Sequence, residues 1–346
     1  MKFCPPNTRR QTRALCLNLR TLSRYGILGG GWLLKIRRFV LGVDEADWLK
    51  VWNAVYGIRW DLAPMAIEEM RNMEKSPDFD SEGRFIAELD NQPVGIVHAY
   101  VDKFRKEKKG FVRNFGVVPK FRGQGIEEKL AGTALEELKN RGMKVAQSSA
   151  DSDQEDIIRL WESLGFKLIR RFSLMTRDIV GLQSDNGENM EVVLKPLRRD
   201  ADEDLETLNR LDNECFKEHF NWRPSPLERT VYFVREDPFF KMQEWFFAIL
   251  NGKHVGYIGI GIDESYNAEK NAKCGWVLDI GVLKPYRRTG IGTKLMLHGM
   301  NLLKAKGMTV AMLGVDDWNV TKAIRLYEKV GFKVAKKEVV YEKSIK

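Results

Sequence analysis

Cysteine is scarce, at four residues in 346. Cys4, Cys16, Cys215 and Cys274 stand at no metal-ligand spacing and show no paired pattern. No metal site and no disulfide framework are therefore expected, and a reducing, cytoplasmic compartment is favoured. No apolar run reaches the length of a membrane span, which predicts a soluble body and no membrane partner. Acidic residues are missing ahead of Asp44, where nine basic ones stand: Lys2, Arg9, Arg10, Arg13, Arg20, Arg24, Lys35, Arg37 and Arg38. Those nine equal the whole formal net charge of +9, leaving 48 basic against 48 acidic residues. The body is thus neutral, the high isoelectric point argues for no nucleic-acid-binding face, and no nucleic-acid partner is expected.

Residues 1–33, with Pro5-Pro6 and Gly29-Gly30-Gly31, read as a basic flexible leader. An Arg-rich, acid-free segment also suits targeting, but no small-residue cleavage site follows it. The remaining length suffices for two globular domains, each with its own core. In the second half, Trp276, Leu278 and Ile280 alternate with Val277 and Asp279, the period of a strand with one buried face. A basic turn follows, Arg287, Arg288, Thr289, Gly290, Ile291, Gly292 and Thr293, and then a helix pattern through Leu295, Met296, Met300 and Leu303. A strand that breaks at such a turn and opens a helix presents unpaired N–H groups with the positive end of the helix dipole behind them. That is an anion site, and the two arginines point to phosphate. A Walker loop is excluded, because one residue separates Gly290 from Gly292. The dinucleotide fingerprint would need a third glycine where Leu295 stands, and ranks lower.

Arg287-x-x-Gly290-x-Gly292 resembles the Q/R-x-x-G-x-G/A motif of the GNAT N-acetyltransferase superfamily. Val282 to Tyr286, Gly314 to Asn319 and AIRLYEKVGF (Ala323 to Phe332) resemble its flanking segments in the same order. The chain also repeats itself. Gly116 to Leu130 and Gly281 to Leu295 share seven of fifteen residues at an offset of 165, and Ile158 to Lys167 and Ile324 to Lys333 share seven of ten at 166. Two blocks at one offset imply duplication of one unit. The resemblance therefore implies an α/β (α+β) fold of two tandem GNAT units, each a splayed mixed sheet flanked by helices, over 34–180 and 190–346. The linker is expected near Gly181 to Asn189, where Gly, Ser, Asn and Asp cluster.

The two copies differ where chemistry would lie. Glu127 replaces Gly292, bringing charge that repels a pyrophosphate, and Trp161 replaces Tyr327, removing a phenol. The first copy is read as degenerate and the second as catalytic. The resemblance implies acetyl-CoA as cosubstrate, with the backbone of Leu278, Ile280 and Val282 along the pantetheine, residues 287–293 around the pyrophosphate and Asn319 near the pantetheine. It makes Tyr327 the acid that protonates the leaving thiolate, and a phenol with a pKa near 10 suits that role. Asp279 is the candidate base; Asp263, Glu264 and His219 are alternatives, as is a water chain. Phe216 to Pro224 (FKEHFNWRP) resembles a region of tandem GNAT proteins of the mycothiol synthase type, which implies Glu218, His219, Trp222 and Arg223 as acceptor-selecting residues. The expected activity is N-acetylation of a small-molecule or peptide amine. An aminoacyl-tRNA-dependent peptide ligase and a non-catalytic acyl-CoA-binding module are the alternatives.

Overall fold

The computed structural model describes residues 33–183, 191–240 and 242–345 together with the backbone of Tyr25–Ile27. The basic leader, apart from those three residues and Leu33, and most of the expected linker lie outside the described residues. Strands β1 to β7 are Tyr25–Ile27, Leu33–Arg38, Arg84–Leu89, Gln92–Tyr100, Lys109–Val117, Val145–Asp151 and Lys167–Asp178. Strands β8 to β13 are Val193–Pro196, Met242–Leu250, Lys253–Ile262, Cys274–Val282, Val310–Asp316 and Lys333–Ser344. Helices α1 to α4 are Glu45–Trp52, Ile67–Met73, Ile126–Asn140 and Glu155–Ser163, and a π-helical turn, Asn53–Gly57, extends α1. Helices α5 to α9 are Asp202–Phe216, Leu227–Glu236, Glu264–Glu269, Ile291–Ala305 and Ala323–Lys329. Among the described residues no helix is long and apolar enough to cross a membrane.

The thirteen strands among the described residues form one mixed sheet in the order β1-β2-β3-β4-β5-β6-β13-β7-β12-β11-β10-β9-β8. The centre of that order is a reciprocal exchange. The last strand of the second unit, β13, pairs with β6 of the first from Val145↔Ser344 to Asp151↔Glu338, while β7 of the first pairs with β12 of the second. Core packing follows the exchange. Val339, Tyr341 and Ile345 are buried with the first unit's Leu130, Trp161 and Phe166, whereas Met175 and Ile179 are buried with the second unit's Leu295 and Met300.

Each unit opens its sheet in the same place. The parallel pair β5 and β6 is in register only over Lys109–Val112 and Val145–Ser148, and β11 and β12 only over Cys274–Trp276 and Val310–Met312. Beyond those points both pairs diverge, which leaves the ends of β11 and β12 splayed over the start of α8. The strand alternation read from sequence does not run through β11. Gly259 pairs with Asp279 and the next residue, Ile260, with Val277, so Leu278 is an extra residue in a bulge. Bulges turn neighbouring side chains to one face. Leu278 packs with Cys215 and Tyr257, and Asp279 also reaches Tyr257 on that face. The expectation that Asp279 points opposite to Leu278 is thereby corrected, and it does lie opposite Ile280, which packs with the α8 core.

Candidate active site

Helix α8 begins at Ile291, so Ile291, Gly292 and Thr293 of the expected turn form its first turn, and Arg288 and Gly290 ahead of it adopt left-handed backbone, φ 67° and 94°. Gly125 takes the same conformation ahead of α3, φ 79°. Arg287 braces this turn from below. Its guanidinium donates to the carbonyls of Val282 at 2.9 Å and Cys215 at 3.0 Å, and it also reaches Glu218 at 3.3 Å. The first copy keeps the brace, with Arg122 Nε donating to Val117 O at 3.0 Å. The anion cradle above is then backbone, and Gly292 keeps it shallow: a Cβ there would lie 3.1 Å from Leu326 Cδ2.

In the first copy the cradle already holds a carboxylate. Glu127 is buried, and its side chain lies against the backbone N–H groups of Gly123 and of Glu127 itself, which lower its pKa against the larger upward push of burial. The strand edge is filled as well. Val55 packs on Gly116 as Cys215 packs on Gly281, and the next residue, Tyr56, donates its hydroxyl to Phe115 O at 2.8 Å. Phe115 is the repeat mate of Ile280. Phe216 follows Cys215 and has no hydroxyl to do the same. Trp161, mate of Tyr327, is fully buried against Phe115 and Phe166, and its indole N–H has no partner among the described residues.

A cavity of 1510 Å³ runs from the α8 turn into the space between the two units. It brings together Leu278, Asp279, Ile280, Val282, Arg287, Arg288, Gly290, Gly292, Thr293, Asn319, Tyr327 and His219. Thr289 and Ile291 are not in its lining: Thr289 Oγ1 donates to Tyr286 O, and Ile291 is a core residue. The acceptor candidates divide. His219 lines the cavity beside Asn319, Nε2 to Nδ2 3.2 Å, and burial lowers its pKa. Glu218 instead pairs outside it with Lys284 and Arg287. Arg223 bonds Asp102 at 2.7 Å and Asp78 at 3.3 Å, clamping the two units together, and neither it nor Trp222 lines the cavity.

Asp279 belongs to a buried carboxyl pair that the sequence did not reveal. Tyr257 Oη lies 2.9 Å from Asp212 Oδ1 and 3.0 Å from Asp279 Oδ2, and Asp279 Oδ1 accepts from Ile280 N at 2.7 Å. The two carboxyls meet at that hydroxyl, and burial first, then Asp212, raises the Asp279 pKa well above its ordinary 3.8. Two carboxyls so placed share one proton and leave one charge. Asp212 was legible only as a polar residue at helical spacing from Leu208, Leu211 and Cys215, all buried. Tyr327 senses this pair: burial first and Asp279 second raise its pKa, so its phenol stays protonated. Cys215 is no nucleophile, since burial pushes its thiol up to about 12. Of the other base candidates, Asp263 caps α7 by accepting from Tyr266 N at 2.8 Å, and Glu264 lies outside the cavity lining. Among the described residues no group of three or more His, Cys, Asp or Glu could hold a metal ion.

The family model for the acetyltransferase (GNAT) family matches this chain twice, over residues 52–166 and 205–332. The chain belongs to the GNAT acetyltransferase family. It is built of two tandem GNAT units, and it resembles the mycothiol synthase type. The mycothiol acetyltransferase of Thermomonospora curvata is 31% identical over 131 residues, covering 38% of this chain and 43% of that one. That of Streptomyces coelicolor is 29% identical over 137 residues, covering 38% and 42%. The matches thus span less than half the length of these relatives. Among solved structures, a tandem GNAT protein from the clavulanic acid biosynthesis pathway superposes with a TM-score of 0.72 at 14% identity, covering 90% of this chain and 99% of that one. A GCN5-related N-acetyltransferase from Sphaerobacter thermophilus does so at 0.67 and 20% identity, covering 90% and 96%. These GNAT structures share the fold across both units.

Proposed function

We propose that the C-terminal GNAT unit transfers an acetyl group from acetyl-CoA to a primary amine of a small molecule or a protein N-terminus, and that the N-terminal unit has no acetyl-CoA site. One contrast carries the reading: the turn opens into the cavity beside Asp279 and Tyr327 in one unit, whereas in the other the turn lies outside the cavity lining and holds Glu127, and Tyr56 takes a carbonyl of the strand edge. Acetyl-CoA fits the residues present, since Glu127 in the first copy is an internal stand-in for the anion that the second cradle would receive. Residues 287–293 would hold the pyrophosphate, and the divergent edge of Leu278 to Val282 would pair with the pantetheine as an added strand.

Acetyl-CoA supplies an activated acetyl thioester. Asp279, once the pair has lost its shared proton, accepts the proton that the incoming ammonium must lose, directly or through water. The backbone N–H near Val282 offers a hydrogen bond to the negative charge developing on the acetyl oxygen. Tyr327 gives its proton to the departing sulfur. Calorimetric titration with acetyl-CoA checks the asymmetry, with one site per chain expected; two sites would show the first unit competent, and none would remove the donor.

Asp279→Asn is expected to lower kcat by about a hundredfold. Because its pKa is raised, wild-type kcat should climb with pH as the pair loses its shared proton, and the variant should lose that limb. The sign for stability is opposite. A folded-state pKa above the unfolded one stabilises below the unfolded value, and that contribution fades as pH rises through the folded value. At neutral pH the variant should therefore melt no lower than wild type. A variant that melts much lower and keeps the wild-type pH profile would make Asp279 a structural residue.

A further inference from the structure

The far wall of the cavity belongs to the N-terminal unit and carries a cation with no partner. Arg113, on β5, is exposed to this space, and its guanidinium makes no hydrogen bond and no ion pair among the described residues. It rests on the faces of Tyr100 and Phe111, 4.2 and 5.0 Å from the ring centroids. The carboxylates near it are committed elsewhere: Asp102 to Arg223, and Asp78 to Arg223 and Arg229. Three guanidiniums thus face two carboxylates. Desolvation lowers the Arg113 pKa, and an anion beside the guanidinium would act in the opposite direction. Stacking on two rings fixes the fork of N–H donors, which suits bidentate capture of a carboxylate or phosphate.

Other charged groups on this wall are paired: Arg59 and Lys336 with Asp61 and Asp151, and Arg84 with Glu74. Apolar side chains, Trp52, Met70, Met73, Phe172, Phe233 and Trp276, also line the cavity. The cavity also exceeds the roughly 1,000 Å³ upper range of ordinary small-ligand sites. Strands β5 and β11 are separated by β6, β13, β7 and β12. Five strand spacings put these two strands roughly 24 Å apart where the sheet is paired.

We infer that Arg113 is the specificity residue for the acceptor, holding an anionic group at the far end of a long, apolar-bodied amine whose amino group enters the C-terminal reaction centre. This rests on the C-terminal unit being the transfer centre. It gives the N-terminal unit a function of its own, as the acceptor's anion-binding wall. Short amino acids would not span the cavity, and an amine without the distal charge would leave Arg113 unpaired.

The test is a homologous series of ω-amino carboxylic acids of increasing length, each compared with its primary amide, assayed by thiol release from acetyl-CoA. The longer acids should be preferred over their amides by about ten- to a hundredfold in kcat/KM, mostly through KM. Arg113→Met should abolish the difference between acid and amide, and Arg113→Lys, which keeps the charge, should retain part of it. Equal use of acids and amides by the wild-type chain, or an Arg113→Met variant that scales both alike, overturns the inference. Should no member of the series release thiol, titrations followed by tryptophan fluorescence separate the two ideas. Acid-selective binding lost in Arg113→Met sustains the anion site while the transfer reading falls, and absence of acid selectivity sinks the anion site itself.

Discussion

Tyr327→Phe should lower kcat by roughly two to four orders of magnitude while leaving acetyl-CoA affinity nearly unchanged. The ring is 8% exposed, packs with Val330 and Phe332 in the α8 core, and lines the cavity. Phenylalanine keeps that packing and removes only the hydroxyl. Burial and the nearby Asp279 hold the phenol protonated, so it is a donor ready for the sulfur as negative charge builds there. Single-turnover rates and calorimetric affinity, measured on one preparation, check the prediction. A parallel loss of affinity would mark Tyr327 as a packing residue, the role its mate Trp161 plays in the first copy.

Gly292→Glu, which copies Glu127 into the second turn, should weaken acetyl-CoA binding by about a hundredfold, or about 3 kcal/mol. Leu326 Cδ2, the atom the new Cβ would meet at 3.1 Å, is the end of a flexible side chain, so the substitution is sterically tolerable. The carboxylate would then take the cradle N–H groups and repel the pyrophosphate. Since an acid at a helix N-terminus contributes about 0.3–1 kcal/mol, the ligand-free melting temperature should hold or rise slightly. Wild-type affinity in this variant would overturn the account of the first copy. The converse change, Glu127→Gly, should create no second site, because Tyr56 still holds the strand edge at Phe115.

The local elements of this fold were legible in the sequence because they rest on local physics. Helix α8 carries Leu295, Met296, Met300 and Leu303 on its buried face as their spacing indicated, and the turn at Gly290 needs the left-handed backbone that glycine permits. Long-range pairing was not legible. β7 and β13 are repeat mates of equal length, so no hydrophobic pattern distinguishes staying in one sheet from crossing to the other. The bulge at Leu278 hid for a similar reason, since one extra residue leaves composition unchanged and alters which face receives Asp279. Arg223 looked like a ligand-binding residue because its partners, Asp78 and Asp102, lie more than a hundred positions away. Tyr257 and Asp212 become a site only when β10 and α5 meet.

The reciprocal strand exchange also sets an order of events during synthesis. Gln147 meets Glu342 across 195 positions, at 2.6 Å, in the pairing of β6 with β13. Until β13 leaves the ribosome, β6 presents an open edge and the first unit lacks Val339 and Tyr341 from its core. The N-terminal half therefore emerges first and is completed by the second. Its ready-made carboxylate in the α3 turn and the Tyr56 clasp on β5 need no later part of the chain, which suits a half that must hold its shape while it waits.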